Sequence, residues 1–300
     1  MASRLMLLCP GQGGQHAGMF ELARTHAGAR ALLARVGEPQ ADGPHMHDNA
    51  VAQPAIVAAT LAMWEALREH APAPALVAGY SIGELAAYGV AGALDAAEAV
   101  SLAGTRAALM DRAAQAGPGQ ALAALGGLPL AQLRALALDT RMHVAIVTGE
   151  DSAIVGGHAA SLPELEDALL AAGGRMQRLP VGVASHTPLM APAVAPFAAS
   201  LEAAAFHVQR CPVLSGIGAA RCSGKPMAVE QLSRQLAETI QWSACMDAAF
   251  EAGITVALEL GPGAALARML QARHPGIACR SVAEFRSLDG IIAWLARQCS

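Results

Sequence analysis

Gly79-Tyr80-Ser81-Ile82-Gly83-Glu84 is the stretch that decides the predicted fold of this chain. The apolar run 75–78 enters it and the helix-favouring run 84–88 leaves it, so Ser81 falls where a strand turns into a helix. A Gly-x-Ser-x-Gly motif in that context presents a serine nucleophile on a sharp turn. A plain turn whose serine caps the helix accounts for the same residues equally well. The remainder of the chain must decide between the two interpretations.

The composition predicts a globular protein with a large core. Of the 300 residues, 54% are hydrophobic, and the net charge is −4 with basic residues scattered along the chain. Such a chain folds as one large domain, or as a large domain and a small one, and offers no basic surface for nucleic acid. Charged residues, Gly and Pro interrupt the apolar runs, so we predict no membrane span.

The cysteine and histidine spacings predict neither disulfides nor a metal site. The six cysteines include no Cys-x-x-Cys pair, which in a chain this long indicates reduced thiols and a cytoplasmic protein. The histidine pair His45-x-His47 lies in a polar segment that contains Gly and Pro. Since the spacing supplies no further ligand, this segment is interpreted as a surface loop and no metal is predicted.

A glycine-rich loop, Pro10-Gly11-Gln12-Gly13-Gly14-Gln15, follows the first predicted strand, Leu5–Cys9. The loop lacks the Lys-Ser/Thr ending of a P-loop and does not complete Gly-x-Gly-x-x-Gly, so nucleotide binding has little support. Two interpretations remain. The loop is either a plain turn, or its backbone N–H groups near Gln12 face a reaction centre, as an oxyanion hole requires.

Arg106 lies on the apolar face of a predicted helix over 95–112. Leu102, Leu109 and Met110 share that face with it. The guanidinium either extends to water along the helix or stays inside the protein. If it stays inside it needs an anion, and its planar shape suits a carboxylate held by two hydrogen bonds.

Shorter elements follow from residue 117 onward and predict the order βαββαβ. The predicted strands are 121–125, 143–147, 153–155 and 175–181, and the predicted helices are 130–138 and 162–172. This order is similar to a ferredoxin-like unit. We therefore predict an α/β protein in which a large domain, 1–118 and 188–300, carries a small inserted domain, 119–187. The cleft between two such bodies is a common ligand site.

His186 stands where the chain leaves the predicted small domain. Thr187 is predicted to cap a helix that begins at Pro188, which places His186 at a helix N-terminus. The helix dipole would favour the neutral imidazole there, and a neutral imidazole suits a general base. The alternative is a histidine that only satisfies local hydrogen bonds.

Taken together, these motifs resemble the malonyl-CoA:acyl-carrier-protein acyltransferase family over nearly the whole chain. Six motifs occur in the family's order: the loop 10–15, the serine stretch 79–84, Arg106 four residues before Met110, Ser185-His186, Gln241-Trp242 and Gly261-Pro262-Gly263. The resemblance implies an α/β-hydrolase-like large domain with the ferredoxin-like insertion. It also implies that no cofactor is permanently bound and that malonyl-CoA is the substrate.

The resemblance implies a transfer in two steps. Ser81, activated by His186, would attack the thioester of malonyl-CoA, and the acyl group would then pass to the thiol of a phosphopantetheine-type arm on a small carrier protein. Backbone N–H groups of Gln12 and Ile82 would bind the oxyanion. Arg106 would bind the malonyl carboxylate and so select malonyl over acetyl.

The family orients its histidine through a backbone carbonyl, which we expect near Gln241. The chain departs from the family at Tyr80, where most members have His, and at 147–151, where the usual Asn-containing segment is replaced.

The run Gly-Tyr-Ser-x-Gly-Glu-Leu-Ala-Ala is similar to the malonyl-transferase (epsilon) subunit of bacterial malonate decarboxylase, whose carrier bears a phosphoribosyl-dephospho-CoA arm. We predict this function, with the other decarboxylase subunits as partners. A transacylase of fatty-acid or polyketide synthesis is the alternative. A serine hydrolase and a non-catalytic docking subunit are alternatives of other classes.

Overall fold

The computed structural model describes residues 3–37, 39 and 43–299. Its strands are β1 (Leu5–Cys9), β2 (Leu76–Gly79), β3 (Gln120–Gly126), β4 (His143–Val147), β5 (Ser152–His158), β6 (Arg175–Arg178), β7 (Val213–Leu214), β8 (Arg221–Cys222), β9 (Val256–Glu259) and β10 (Ala278–Ser281). Its α-helices are α1 (Glu21–Arg24), α2 (Ala27–Val36), α3 (Asn49–Leu67), α4 (Ile82–Val90), α5 (Ala96–Gln115), α6 (Leu130–Asp139), α7 (Leu162–Ala171), α8 (Ala191–Ala203), α9 (Lys225–Arg234), α10 (Trp242–Glu251), α11 (Ala265–Arg273) and α12 (Leu288–Gln298).

The larger sheet has the strand order β10-β9-β1-β2-β7-β8. Its strands run parallel except for the last pair, β7 and β8. Cys9 pairs with Gly79 in register, so β1 and β2 end side by side at one edge of the sheet. The glycine-rich loop and the serine turn leave from these two ends, and ligands of open α/β sheets bind at such an edge.

Helices α3, α4 and α5 pack together with one face of this sheet in the main hydrophobic core. Helix α3 is long and apolar enough to pass a length and composition test for a membrane span, but 72% of the tested window is buried inside the fold. It therefore serves as a core helix, and its residue Gln53 reaches the interior close to α5.

The smaller sheet has the order β4-β5-β3-β6, with antiparallel neighbours throughout. Helices α6 and α7 cover one face of it through Leu133, Leu165 and Leu169. The order and the βαββαβ sequence of elements confirm the predicted ferredoxin-like unit, and the two sheets confirm the predicted α/β fold with a large and a small part. The boundaries 119–187 stay a prediction.

Backbone hydrogen bonds join the smaller sheet to the larger part of the protein. Ile240 N–H donates to the carbonyl of Ala145 at 3.0 Å, and Val147 N–H donates to the carbonyl of Ile240 at 2.8 Å. The hydroxyl of Thr239 donates to the carbonyl of Val144 at 2.7 Å. Strand β4 thus holds the loop that precedes α10.

The structure corrects two local predictions. Strand β6 ends at Arg178, not at residue 181, because Pro180 has no N–H to continue the ladder. Thr187 does not cap a helix with its side chain, since its hydroxyl donates to the carbonyl of Ala184 at 2.6 Å. A short 3₁₀ turn, Pro188–Met190, comes between it and α8.

Glu259 makes the stability of the fold depend on pH. Its Oε2 accepts from the N–H of Ala267 at 2.8 Å, and burial raises the pKa of this carboxyl from 4.5 to about 7. The folded protein therefore keeps a proton that the unfolded chain loses between these values. We expect this carboxyl to lower the free energy of unfolding by about 1–3 kcal/mol as the pH rises from 5 to 8.

Urea denaturation of the wild type and of Glu259→Gln across this range measures the effect. The amide keeps an acceptor for Ala267 but does not titrate, so the variant should show a flatter profile. Equal slopes for the two proteins would contradict the assignment.

Candidate active site

Ser81 lies on a strained turn between β2 and α4. Its φ is 56° and its ψ is −119°, a backbone conformation that residues other than glycine rarely adopt. Its hydroxyl makes no capping hydrogen bond with α4, so the helix-cap interpretation is excluded. The turn presents Ser81 as the Gly-x-Ser-x-Gly motif predicts.

The two glycines of the motif allow the chain to cross itself at this turn. A Cβ at Gly79 would lie 2.1 Å from backbone atoms of Gly83 and Glu84, and a Cβ at Gly83 would lie 2.1 Å from the carbonyl oxygen of Cys9. Both contacts are with backbone, which cannot move aside as a flexible side chain can. The start of α4 therefore sits directly on the end of β1.

We expect Gly83→Ala to lower the free energy of unfolding by about 3 kcal/mol or more, because the methyl group must displace α4 from β1. Denaturation in urea measures the loss. Gly276→Ala is the matched control, since a Cβ there meets nothing within 4 Å. A similar loss in both variants would contradict the close approach.

His186 contacts Ser81 directly. Its Nε2 lies 2.8 Å from Ser81 Oγ, and its Nδ1 lies 2.6 Å from the carbonyl oxygen of Gln235. A carbonyl only accepts, so Nδ1 carries the proton and Nε2 is free to accept the hydrogen of the serine hydroxyl. His186 also has a positive φ of 62°. The pair has the geometry of a nucleophile and its general base.

The carbonyl that orients His186 belongs to Gln235, which corrects the prediction for Gln241. Gln235 follows α9 directly, and the turn there also brings the carbonyl of Leu236 to the N–H of His186 at 2.8 Å. Gln241 instead precedes α10, and its N–H donates to the carbonyl of Gly216 at 2.7 Å. Its side chain lines the same cleft as His186 without orienting the ring.

His186 is neutral at physiological pH. Burial lowers the pKa of its imidazole to about 3, and the positive charge of Arg106 acts in the same direction. The predicted neutral form is confirmed, but its cause is burial and a nearby cation, where the sequence suggested a helix dipole.

Arg106 lies inside the protein with 2% of its surface exposed, which excludes the alternative of a side chain extended to water. Its Nη1 donates to Gln53 Oε1 at 2.8 Å, and its Nη2 lies 3.4 Å from both Ser81 Oγ and Gln235 Oε1. Burial lowers the pKa of the guanidinium to about 10, so it stays charged at neutral pH. Among the residues that the structure describes, no carboxylate forms a salt bridge with it.

No role was predicted from the sequence for three residues of this site: Gln53, Glu84 and Gln235. Gln53 and Gln235 hold the guanidinium between two neutral amides. Glu84 is fully buried and accepts a hydrogen bond from the side chain of Gln235. The position of Arg106 on an apolar helix face was the one sequence signal for such residues. A guanidinium buried there requires several polar partners from neighbouring elements.

The glycine-rich loop lies against the serine turn. A Cβ at Gly11 would lie 2.7 Å from the carbonyl oxygen of Tyr80, and Gln53 Nε2 donates to Gln12 Oε1 at 3.4 Å. Ile82 is the first residue of α4, where a backbone N–H has no acceptor within the helix. The structure thus brings Gln12 and Ile82 to the surroundings of Ser81, and their oxyanion role stays a prediction.

Residues 6–284 match the acyl transferase domain family. The chain belongs to this acyltransferase family. It is 33% identical to the malonyl CoA-acyl carrier protein transacylase of Mycobacterium tuberculosis, over 95% of this chain and 98% of that protein.

Solved structures show the same fold. The crystal structure of MCAT from Mycobacterium tuberculosis superposes with a TM-score of 0.90, at 29% identity over 98% of this chain and 99% of that one. A second solved structure holds a type II polyketide synthase acyl-carrier protein in complex with its malonyl-transacylase. It superposes with a TM-score of 0.91, at 25% identity over 98% of this chain and 100% of the matched chain.

A cleft in this acyltransferase opens next to His186. The cavity has a volume of about 540 Å³ and lies between β4 and the loop that precedes α10. Arg134, His143 and Gln241 line it together with His186. The described residues contain no cluster of three or more His, Cys, Asp or Glu side chains that could hold a metal ion.

Tyr80, the residue before Ser81, packs edge-on against Trp242. The ring centroids are 5.2 Å apart and the ring planes meet at 81°. Burial raises the pKa of the Tyr80 phenol. The aromatic pair forms an apolar wall beside the serine turn.

Proposed function

We propose that this chain transfers a malonyl group from malonyl-CoA to the thiol of an acyl carrier protein's phosphopantetheine-type arm. The observation that carries the proposal is the buried guanidinium of Arg106, 3.4 Å from the oxygen of a serine that already contacts a neutral histidine. The relatives that share nearly the whole chain are named as malonyl transacylases, which supports the same substrate.

In the first half-reaction, Ser81 Oγ attacks the thioester carbon while His186 Nε2 takes the hydroxyl proton. The negative charge on the carbonyl oxygen is bound by the N–H groups of Gln12 and Ile82. The tetrahedral intermediate then breaks its carbon–sulfur bond. The CoA thiolate takes the proton from His186, and an acyl-serine ester remains.

In the second half-reaction, the arm of the carrier protein occupies the place that CoA has left. Its thiol gives a proton to His186 as the sulfur attacks the ester carbon. The carbon–oxygen bond to Ser81 breaks and the serine oxygen recovers the proton. The carbonyl of Gln235 keeps the imidazole in one orientation through both halves, because it accepts from Nδ1 throughout.

Arg106 gives the reaction its selectivity for malonyl. The carboxylate carbon of a malonyl group is two bonds from its acyl carbon. In the acyl-enzyme the acyl carbon is bonded to Ser81 Oγ, and Arg106 Nη2 lies 3.4 Å from that oxygen. A hydrolase of simple esters has no use for a buried cation there. Removing the substrate carboxylate leaves that cation unpaired and costs free energy.

A second candidate is the malonyl-transferase subunit of malonate decarboxylase. Tyr80 before the serine favours it, while the relatives named as transacylases of acyl carrier proteins favour a carrier of fatty-acid or polyketide synthesis. The chemistry at Ser81 is identical in the two cases. They differ in the arm that accepts the malonyl group.

Intact-mass spectrometry tests the proposal. The protein is incubated briefly with malonyl-CoA or acetyl-CoA, and then with a phosphopantetheine carrier, a phosphoribosyl-dephospho-CoA carrier, or a carrier without an arm as the control. We expect a malonyl adduct that passes to the phosphopantetheine carrier. Transfer to the other armed carrier alone would establish the decarboxylase function.

Two other outcomes would overturn the proposal. Free CoA without an adduct indicates a hydrolase. If neither an adduct nor free CoA forms although the thioester is in excess, the chain is a docking subunit.

A further inference from the structure

Glu84 is a buried carboxyl that the mechanism above does not use. It lies on α4 three residues after Ser81 and has 0% of its surface exposed. Its Oε2 accepts from the N–H of Gly216 at 2.9 Å and from Gln235 Nε2. Its Oε1 has no hydrogen-bond partner among the described residues.

Gln235 lies between Glu84 and two groups of the candidate site, the guanidinium of Arg106 and the imidazole of His186. Its side-chain Nε2 points to Glu84, so its Oε1 faces Arg106 Nη2 at 3.4 Å. Its backbone carbonyl accepts from His186 Nδ1. An amide has one donating end and one accepting end, and Glu84 decides which end meets the guanidinium. A reversed amide would set its NH₂ group against the N–H groups of Arg106.

We propose that Glu84 is a positioning residue for carboxylate selectivity: it fixes the amide of Gln235 against Arg106, and its state of protonation sets the charge that Arg106 offers to the substrate. This inference rests on the proposed function. It concerns the residue that controls the binding of the malonyl carboxylate, and not the transfer itself.

The charge effect follows from the surroundings of Glu84. Burial raises the pKa of the carboxyl to about 7, while the Gly216 and Gln235 hydrogen bonds and the Arg106 charge lower it. Near neutral pH the carboxyl thus changes from neutral to anionic. An anion close to Arg106 competes with the substrate carboxylate for the same positive charge.

Other titratable groups face Glu84, and their charges stay constant between pH 6 and 8.5. They are Tyr88 on the same helix, Cys222 from β8, Cys245 from α10 and Arg106 from α5. Burial raises the pKa of Cys222 to about 11 and raises the pKa of Tyr88 and Cys245 further. His186, which contacts the carbonyl of Gln235, is neutral throughout this range because its pKa is about 3.

The test measures the rate of acylation by malonyl-CoA and by acetyl-CoA in single turnovers, from pH 6 to 8.5. We expect the malonyl-to-acetyl ratio of the wild type to fall about tenfold as the pH rises. Glu84→Gln keeps an acceptor for Gly216 and Gln235 and cannot ionise. Its ratio should stay high at every pH.

Glu84→Leu removes the acceptor, so its ratio should be low at every pH, with malonyl affected more than acetyl. Because this variant can fail to fold, the comparison of the wild type with Glu84→Gln decides the question by itself. Glu259→Gln is the matched control, since it removes another buried carboxyl whose pKa is about 7. It should keep the wild-type dependence of the ratio.

A ratio that does not change with pH in the wild type, or that falls equally in Glu84→Gln, overturns this inference. A merely structural role would lower both rates together and leave the ratio unchanged. Absence of an acyl adduct on the wild type at all pH values overturns the proposed function, and this inference with it.

Discussion

Ser81→Ala is expected to lower malonyl transfer by a factor on the order of 10⁴–10⁶ and to abolish the covalent adduct. In the proposed mechanism the hydroxyl is the atom that bonds to the acyl group, and it is the oxygen that lies 2.8 Å from His186 Nε2. A quantitative assay of malonyl-carrier formation measures the rate. Intact-mass spectrometry measures the adduct.

Ser101→Ala is the matched control, because Ser101 is an exposed serine on α5. It should transfer malonyl at the wild-type rate. A malonyl adduct that persists in Ser81→Ala would place the nucleophile elsewhere. Unchanged transfer without any adduct would show that the acyl-serine ester is not on the pathway.

Arg106→Ala is expected to lower acylation by malonyl-CoA by a factor of about 10²–10³, while acylation by acetyl-CoA changes little or rises. The variant leaves the malonyl carboxylate in a buried site without its cation. It also removes the charge that disfavours acetyl. The malonyl-to-acetyl ratio of single-turnover rates is the measurement.

Arg112→Ala provides the control, since it removes an exposed arginine from the same helix. Arg106→Lys should recover part of the malonyl rate, because it restores the charge without the planar pair of donors. An unchanged ratio in Arg106→Ala would rule out a carboxylate-binding role for this residue.

The sequence predicted the elements of the fold well where residue type and periodicity act together. Strand β1 occupies the predicted residues, and the smaller sheet has the predicted order of elements. Ser81 and His186 were predicted as a pair and lie in hydrogen-bond contact. In these cases apolar spacing and the glycines of the motif restrict the backbone to few conformations.

The details that could not be predicted depend on groups without a sequence signal. The orienting carbonyl of Gln235 is a backbone atom, and every residue has one. The position of the Arg106 guanidinium was open because a long side chain on an apolar face can reach water or stay inside. Gln53, which accepts from Arg106, lies on α3, and Glu84, which accepts from Gln235, lies on α4, so only the packed fold brings these groups together.

The positive φ angles of Ser81 and His186 have a consequence for the evolution of this protein. Each residue occupies a conformation that costs about 1–3 kcal/mol, and the surrounding fold supplies that energy. Selection for folding alone would replace both residues by glycine. We therefore expect the protein to be less stable with serine and histidine at these positions than with glycine, and packing elsewhere in the fold offsets that cost.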